Sequence, residues 1–310
     1  MRRAVKWLGI GFGSLGGLAV VAAAAVYGIS EWALHKRYDA PLSPITVPTD
    51  AAAIQRGARL ATVYGCNNSC HGKHMQGLEM YDEPGIAKIN APNLPHVLRE
   101  YSDAELERLI RHGVKRDGTS TWIMPAPMFS HLTDEDLGDI IAFVRSAPLS
   151  DGPMREVTIR SLGRVGIVVG KFKPLASQIP LDVRHTATAD RANPLALGHY
   201  LVLTACTECH GQDLQGSEIV HAPSLAVSAS YSNADFDRLM RSGVAIGGRL
   251  VGLMSEVGQT RFPALTDEEV VAVREYLRTQ FPPTPEALAR SIEQSKTPPV
   301  TSFVDAAPSS

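Results

Sequence analysis

Two short stretches of this sequence share one pattern of reactive residues. Residues 64–72 read "YGCNNSCHG", and residues 204–211 read "TACTECHG". Each stretch holds two cysteines, a histidine directly after the second cysteine, and then a glycine. The second stretch has the spacing C-x-x-C-H, whereas the first has one more residue between its cysteines. All four cysteines of the chain lie in these two stretches, so none remains for a structural disulfide elsewhere.

The segments that follow the two stretches also repeat, in the same order. The matched pairs are "APNL" (91–94) with "APSL" (222–225), "YSDAELERLIRHGV" (101–114) with "YSNADFDRLMRSGV" (231–244), and "HLTDEDLGDIIAFVRS" (131–146) with "ALTDEEVVAVREYLRT" (264–279). The spacing between the copies drifts only by short insertions. A repeat of this length predicts two homologous domains, at 51–147 and 195–282.

Both domains have the local signals of helices. Ser102 with Glu105 has the spacing of a capping box, and Gly113 is placed to end that helix. The apolar positions of the segment after Thr133 recur at helical spacing, which predicts one buried face. The second domain repeats both helix starts, at Ser232 and Thr266. Since neither domain has an evident strand alternation, the predicted fold class is all-α.

The N-terminus predicts a membrane segment, residues 1–36. Arg2, Arg3 and Lys6 precede an uncharged, mostly apolar run at 7–30, and a membrane-spanning helix needs about 20 such residues. A cleaved signal peptide is the alternative, although its apolar region usually has only ~7–15 residues. We therefore favour the anchor. The expected location is the bacterial inner membrane with both domains facing the periplasm, or the periplasm itself if the N-terminus is cleaved.

Composition narrows the class of protein. The chain has 310 residues, 44% of them hydrophobic, and a formal net charge of -2. This balance, with no basic arm, predicts no nucleic-acid partner.

Residues 148–194 form a basic and apolar connector, which we expect to pack on the domains, with contact to lipid headgroups as the alternative. Residues 283–310 are rich in Pro, Ser and Thr and are expected to form a flexible tail.

C-x-x-C-H is the attachment signature of c-type haem. Two thiols on one short turn bond the porphyrin, and the adjacent histidine then faces the iron. Three other readings compete: disulfides, a redox-active cysteine pair, and zinc bound by cysteine and histidine. The histidine follows directly in both copies, and each copy has a methionine-bearing segment downstream, so haem is favoured. The longer first loop leaves its attachment geometry open, but we expect covalent attachment at both stretches.

These motifs resemble the class I c-type cytochromes, here as a membrane-anchored dihaem cytochrome c. The resemblance rests on "CNNSCHG", "CTECHG", "APNL", "APSL", "IMPAPMFSHLTDEDL" and "LMSEVGQTRFPALTDEEV". It implies two covalently attached haem c groups, each with a proximal histidine and a distal methionine on the iron. The implied cofactor-binding residues are Cys66, Cys70, His71 and Met124 in the first domain, and Cys206, Cys209, His210 and Met254 in the second. The iron ligands among them are His71, Met124, His210 and Met254.

The repeat selects these methionines from the other candidates. Met124 and Met254 stand at the same distance after Gly113 and Gly243, and Met124 precedes a proline as in the family signature. Met128 and Met240 are expected to be core residues. The remaining histidines near the motifs do not repeat and are expected to be surface or core residues: His74, His96, His112, His131 and His221.

Two further repeated pairs are relevant to these sites. Pro92 and Pro223 correspond to the family proline that lies close to the proximal histidine. Arg111 and Arg241 are either haem propionate partners or basic residues at a helix end, and we favour the second reading.

Ligation of both irons by histidine and methionine suits electron transfer and leaves no position for a substrate. The predicted function is therefore an electron carrier, not an enzyme, that works between membrane or periplasmic redox partner proteins. Its anchor is expected to lie in the lipid bilayer. Two alternatives stay open: a dihaem peroxidase, and the cytochrome subunit of a membrane dehydrogenase or terminal oxidase.

Overall fold

A computed structural model describes residues 2–152, 156–180 and 185–282, together with 284, 285 and 289. Helices dominate this part of the chain, in agreement with the predicted all-α class. The helices are α1 Arg2–His35, α2 Ala51–Val63, α3 Leu94–Val97, α4 Asp103–His112, α5 Ala126–Phe129, α6 Asp134–Ser146, α7 Ser161–Val168, α8 Pro194–Ala205, α9 Thr207–His210, α10 Asn233–Ser242, α11 Leu253–Thr260 and α12 Asp267–Gln280. The strands are β1 Leu78–Glu83, β2 Ala87–Ala91, β3 Glu156–Ile159, β4 Val244–Ala245 and β5 Arg249–Leu250.

The same helix crossing organises both halves of the chain. Helix α2 packs on α6, and α8 packs on α12. At each crossing a glycine allows the backbones to touch: a Cβ at Gly57 would overlap the Asp139 carbonyl, and one at Gly198 would overlap the Ala272 carbonyl. The two glycines occupy corresponding places before the two Cys-Cys-His stretches. This repeated contact supports two homologous units, while the boundaries 51–147 and 195–282 stay a proposal.

The predicted helix signals are confirmed at both ends of α4. Ser102 and Glu105 form a reciprocal capping box, and Gly113 ends the helix in the left-handed conformation at φ 65°. Ser232 caps α10 through the Asp235 backbone, and Gly243 ends that helix at φ 69°. These contacts are local in sequence, which is why the spacing alone predicts them.

A small antiparallel sheet in the order β1-β2-β3 was not predicted. Strand β1 is almost wholly exposed, so it has no buried face and no alternation to detect. Strand β2 does alternate, burying Ala87, Ile89 and Ala91, but five residues give a weak signal. Strand β3 comes from the connector and pairs with β2.

The connector packs on the first half of the chain, as predicted. Besides β3, its segment Leu175–Gln178 hydrogen-bonds to Thr121 and Ser120. Helix α7 packs against α1, where the Arg164 guanidinium lies 2.8 Å from Glu31 and stacks on the Tyr27 ring. Arg155 of the connector, and all of the predicted tail 283–310 except 284, 285 and 289, lie outside the described residues.

Helix α1 has the length and composition of a membrane span. Its segment Gly11–His35 has a mean hydropathy of 1.8, and none of the most apolar window is buried against the described remainder of the chain. Uncovered apolar surface of this size favours insertion in lipid over a place in a soluble core. An anchor and a signal sequence share these properties, so both readings of the N-terminus stand.

The two halves meet through corresponding surfaces. The Arg59 guanidinium of α2 binds the Glu269 carboxylate of α12 at 2.7 Å. At the corresponding position of the second half, the Tyr200 hydroxyl of α8 donates to the Asp136 carboxylate of α6 at 2.6 Å. Asp136 and Glu269 both occupy the third position of their helices. The interface therefore has the pattern of a two-fold contact between like surfaces, although one chain forms both sides.

Candidate functional site

The first Cys-Cys-His loop begins where α2 ends. The cap residue Tyr64 is followed by Gly65 at φ 78°, and the Cys70 amide then donates to the Gly65 carbonyl at 2.9 Å. Asn68 adopts the left-handed conformation at φ 61°, and its amide donates to the Gly72 carbonyl. Asparagine tolerates this conformation better than most residues. The loop thus takes up its additional residue as a left-handed turn.

The second loop is tighter. Residues Thr207–His210 form a single helical turn, α9, and the His210 amide donates to the Cys206 carbonyl at 3.0 Å. Beyond the histidines the two loops become alike. Gly72 and Gly211 have φ values of 77° and 78°. The amides six residues after each histidine close the loops by donating to the His71 and His210 carbonyls, at 2.9 and 2.8 Å. The additional residue therefore changes the spacing of the cysteines but leaves the backbone conformation and hydrogen bonding after the histidine the same.

Each histidine of the motif is oriented by a proline carbonyl. His71 Nδ1 lies 3.0 Å from the Pro92 oxygen, and His210 Nδ1 lies 2.8 Å from the Pro223 oxygen. Since a carbonyl only accepts, Nδ1 donates and Nε2 carries the free lone pair, the usual arrangement of a metal-binding histidine. Burial lowers the pKa of both imidazoles, which favours the neutral form that binds a metal. The predicted closeness of these prolines is confirmed.

The four cysteines are free thiols, so no disulfide joins them. Burial raises the pKa of Cys66 and Cys206 to about 12 and that of Cys209 to about 11, and it also raises the pKa of Cys70. Redox-active cysteine pairs show the opposite, a lowered thiol pKa. The disulfide and redox readings of the motifs are therefore both disfavoured.

The methionines divide as the repeat predicts. Met128 is fully buried and Met240 is 3% exposed, so both are core residues. Met124, just before α5, and Met254, in the first turn of α11, are only partly buried at the edge of the same core. Their assignment as iron ligands stays a prediction. His74, His96 and His221 are exposed, and His131 is half-buried, whereas His112 is buried.

Arg111 and Arg241 bind the segment that opens the last helix of each half. The Arg111 guanidinium donates to the Leu132 carbonyl at 2.8 Å and pairs with Asp134 at 2.8 Å. Arg241 donates to the Leu265 carbonyl and pairs with Asp267. Both side chains are thus held by protein groups, which favours a structural role over propionate binding.

Sequence reasoning missed Arg261, which lies between the two loops. Its side chain is almost fully buried, its Nε donates to the Val63 carbonyl at 3.1 Å, and its NH1 group pairs with Glu208 at 3.0 Å. The guanidinium also packs against Gly65. Glu208 stands between the two cysteines of the second motif, so one cation contacts both loops. One sequence feature could have identified Arg261. The repeat places it opposite Met128 of the first half, so a charged residue stands where the other copy has an apolar one.

These features fit covalently bound haem. Each loop presents two partly buried free thiols and a histidine whose Nδ1 is held by a proline carbonyl, which leaves Nε2 free. The comparisons with known proteins give the same result. Residues 52–144 match the family described as cytochrome c oxidase, cbb3-type, subunit III, and residues 195–281 match the cytochrome c family. The chain is a tandem of two c-type cytochrome domains.

Curated relatives align with about three quarters of this cytochrome. The fructose dehydrogenase cytochrome subunit of Gluconobacter japonicus is 26% identical over 271 residues, covering 76% of this chain and 54% of the relative. The alcohol dehydrogenase (quinone) cytochrome c subunits of Gluconacetobacter polyoxogenes and Komagataeibacter europaeus are 27% identical over 275 residues, covering 77% of this chain and 58% of each relative. The cytochrome therefore matches just over half the length of these relatives.

Proposed function

We propose that this protein is an electron carrier with two haem c groups. Cys66, Cys70 and His71 would hold the first haem, with Met124 as the distal ligand. Cys206, Cys209 and His210 would hold the second, with Met254 as the distal ligand. The observation that carries the proposal is the matched pair of histidines, each oriented by a proline carbonyl beside two free thiols.

The cofactor supplies an iron that cycles between Fe(III) and Fe(II), and the protein supplies ligands and electrostatics. The Pro92 and Pro223 carbonyls accept from Nδ1 and fix each imidazole ring in the tautomer whose Nε2 would bind the iron. Methionine and histidine together raise the reduction potential and leave no position for a substrate. This ligand set supports a carrier and disfavours a peroxidase.

The domain interface supports electron exchange between the two sites. Arg261 contacts the loop after α2 and pairs with Glu208 of the second motif, so both attachment loops border one partly buried ion pair. The α2 and α12 helices lock these loops together through Arg59 and Glu269. We therefore infer that the two domains work as one unit in electron transfer.

The physiological setting we propose is the cytochrome subunit of a membrane dehydrogenase. Relatives with names of this kind match most of the chain, and α1 has the length of a membrane span. The redox partners would be the dehydrogenase and an acceptor at the outer face of the bacterial inner membrane, with α1 in the lipid bilayer.

One measurement tests the carrier and the peroxidase together. The purified protein is reduced, its haem is quantified per chain, and its absorption spectrum is recorded before and after carbon monoxide is added. Two haems per chain and no change with carbon monoxide support two closed sites and a carrier. A change at one haem shows an open or labile ligand and supports a peroxidase. Fewer than two haems contradicts the dihaem proposal.

A second measurement tests the membrane complex. The protein is extracted from native membranes in mild detergent, and sugars and alcohols are added to the purified material. Reduction of its haems by one of these substrates supports a bound dehydrogenase. Isolation of the cytochrome alone, with no reduction by any substrate, contradicts the subunit assignment and leaves the carrier function standing.

A further inference from the structure

Three side chains with metal-binding atoms meet at the end of α4, and none belongs to the Cys-Cys-His loops. Glu107 and His112 project from α4, and His185 comes from the connector. Glu107 Oε1 lies 4.0 Å from His112 Nε2 and 3.9 Å from His185 Nε2. All three ligand atoms lie within 4.8 Å of one another. We call these residues the EHH cluster.

The EHH cluster is buried and its hydrogen bonding is incomplete. Glu107 is 0% exposed and His112 is 2% exposed. Three of its buried atoms have no hydrogen-bond partner: Glu107 Oε2, His112 Nδ1 and His185 Nε2. A buried polar atom without a partner is unfavourable, so such atoms in one place indicate a ligand that supplies the missing contact.

The two histidine rings of the EHH cluster lie edge to face, with their centroids 5.6 Å apart. The His185 ring also interacts with the Ser130 backbone, which helps to orient it.

The charged groups beside the EHH cluster are Arg111, Arg108 and the Asp134 carboxylate. Arg111 lies 3.2 Å from Glu107 and 2.8 Å from Asp134, so it is shared by two carboxylates. Arg108 is a further cation that acts on His112. The Glu107 oxygen Oε2 is not used by Arg111 and is free for another ligand.

The second domain shows that the cluster is not a general part of the fold. There Arg241 lies beside Asp237, 3.8 Å away, in place of the pair Arg111 and Glu107. Asp237 is largely exposed, and Ser242 stands where the first domain has His112. The arginine and the carboxylate are thus common to both domains, whereas His112 and the deep burial are found in the first domain, beside which the connector places His185.

We propose that Glu107, His112 and His185 bind one zinc ion. Two imidazoles and one carboxylate are a usual zinc donor set, and a tetrahedral ion with bonds of ~2.0–2.1 Å separates its ligand atoms by ~3.4 Å. Glu107 Oε1 lies 3.9–4.0 Å from the two histidine nitrogens, and all three ligand atoms lie within 4.8 Å of one another. The side chains would therefore draw together by up to about 1.4 Å to reach that value. A fourth position stays available for water. The ion would tie the connector to α4.

Metal analysis of the haem-loaded full chain tests the site. The protein is treated with a chelator, incubated with zinc chloride, desalted, and analysed for zinc and iron per chain. Zinc K-edge absorption then identifies the ligands without any substitution. One zinc per chain with imidazole scattering supports the site. No retained zinc, or sulfur scattering from cysteine, overturns it.

Variants assign the zinc to the cluster. His185→Ala and His112→Gln should each lose the bound zinc while keeping the iron content, which shows that the domains are folded. His74→Ala is the matched control, because His74 is exposed, and it should keep the zinc. Zinc retained in both cluster variants overturns the assignment. A variant that loses iron as well is set aside in favour of the absorption measurement on the unaltered chain.

Discussion

Tyr64 and Thr204 occupy the same position in the two motifs, two residues before the first cysteine, and they touch each other. The Tyr64 hydroxyl lies 3.3 Å from the Thr204 hydroxyl, and both side chains are buried. Corresponding residues that meet mark the approximate two-fold axis of the interface. The start of each attachment loop is therefore in contact with the start of the other.

Removing the distal methionines should open the irons. We expect Met124→Leu and Met254→Leu each to produce a carbon monoxide response at one haem, because leucine cannot ligate iron. Met128→Leu and Met240→Leu are the controls, since both side chains are core residues and a swap of similar volume costs less than about 1.5 kcal/mol. Spectra of the reduced proteins provide the readout. A response in the Met128 variant but not in the Met124 variant would reverse the ligand assignment.

Arg59→Ala should weaken the coupling between the domains. It leaves the nearly buried Glu269 carboxylate without its closest partner, a loss of about 1.5–3 kcal/mol for a charged hydrogen bond. Arg56→Ala is the control, because Arg56 pairs with Asp139 inside the first domain. Calorimetry should show separated unfolding transitions for the Arg59 variant only. Equal splitting in both variants would count against the interface contact.

Gly57→Ala should strongly destabilise the first domain. The new methyl group would overlap the Asp139 carbonyl and push α2 away from α6, at a cost of about 3 kcal/mol, the upper part of the overpacking range. Gly28→Ala is the control, since a Cβ at Gly28 in α1 meets nothing within 4 Å. Thermal unfolding followed by haem absorbance measures the difference. Similar Tm values for the two variants would show that the crossing is not tight.

Removing either partner of the ion pair between the loops should shift the haem reduction potentials, and the two removals should shift them in opposite directions. Arg261→Gln leaves the Glu208 charge uncompensated, which favours Fe(III) and lowers the potentials. Glu208→Gln leaves the cation uncompensated and should raise them. Spectroelectrochemical titration measures both. Arg238→Gln, which alters a more exposed ion pair on α10, should change little. Shifts of the same sign in both variants would contradict this electrostatic account.

His131 should make the protein less stable in mild acid. Burial lowers its pKa, and its Nε2 lies 3.3 Å from the Gln212 side chain across the interface. As pH falls through the ordinary histidine value of ~6.5, the unfolded chain takes up this proton before the folded protein does, so the stability falls. His131→Gln removes that part of the pH dependence. If His131→Gln is less stable than the unaltered protein at about pH 8, the Tm values of the two proteins should converge as the pH falls to about 5. A difference that does not change with pH would exclude this role for His131.

Local patterns were enough to predict the helix ends, the repeat and the residues of the two loops. Ser102 reaches Glu105 and Thr266 reaches Glu269 within one turn, so their spacing specifies the contact. The closeness of Pro92 and Pro223 to the motif histidines was implied by the resemblance to the class I c-type cytochromes, and the structure confirms it. The three-stranded sheet was missed, since β1 is exposed and β3 comes from a distant segment.

The sequence by itself determined that the chain has two Cys-Cys-His loops, that each belongs to a helical domain, and that an apolar helix precedes both. Each of these features depends on residues that are close together along the chain. Only the tertiary structure placed Arg261 between the loops, paired Arg59 with Glu269, and brought His185 to Glu107. Those contacts join residues that are far apart along the chain and are not related by the spacing of a helix or a strand. Packing and burial select such pairs, and no local spacing encodes them.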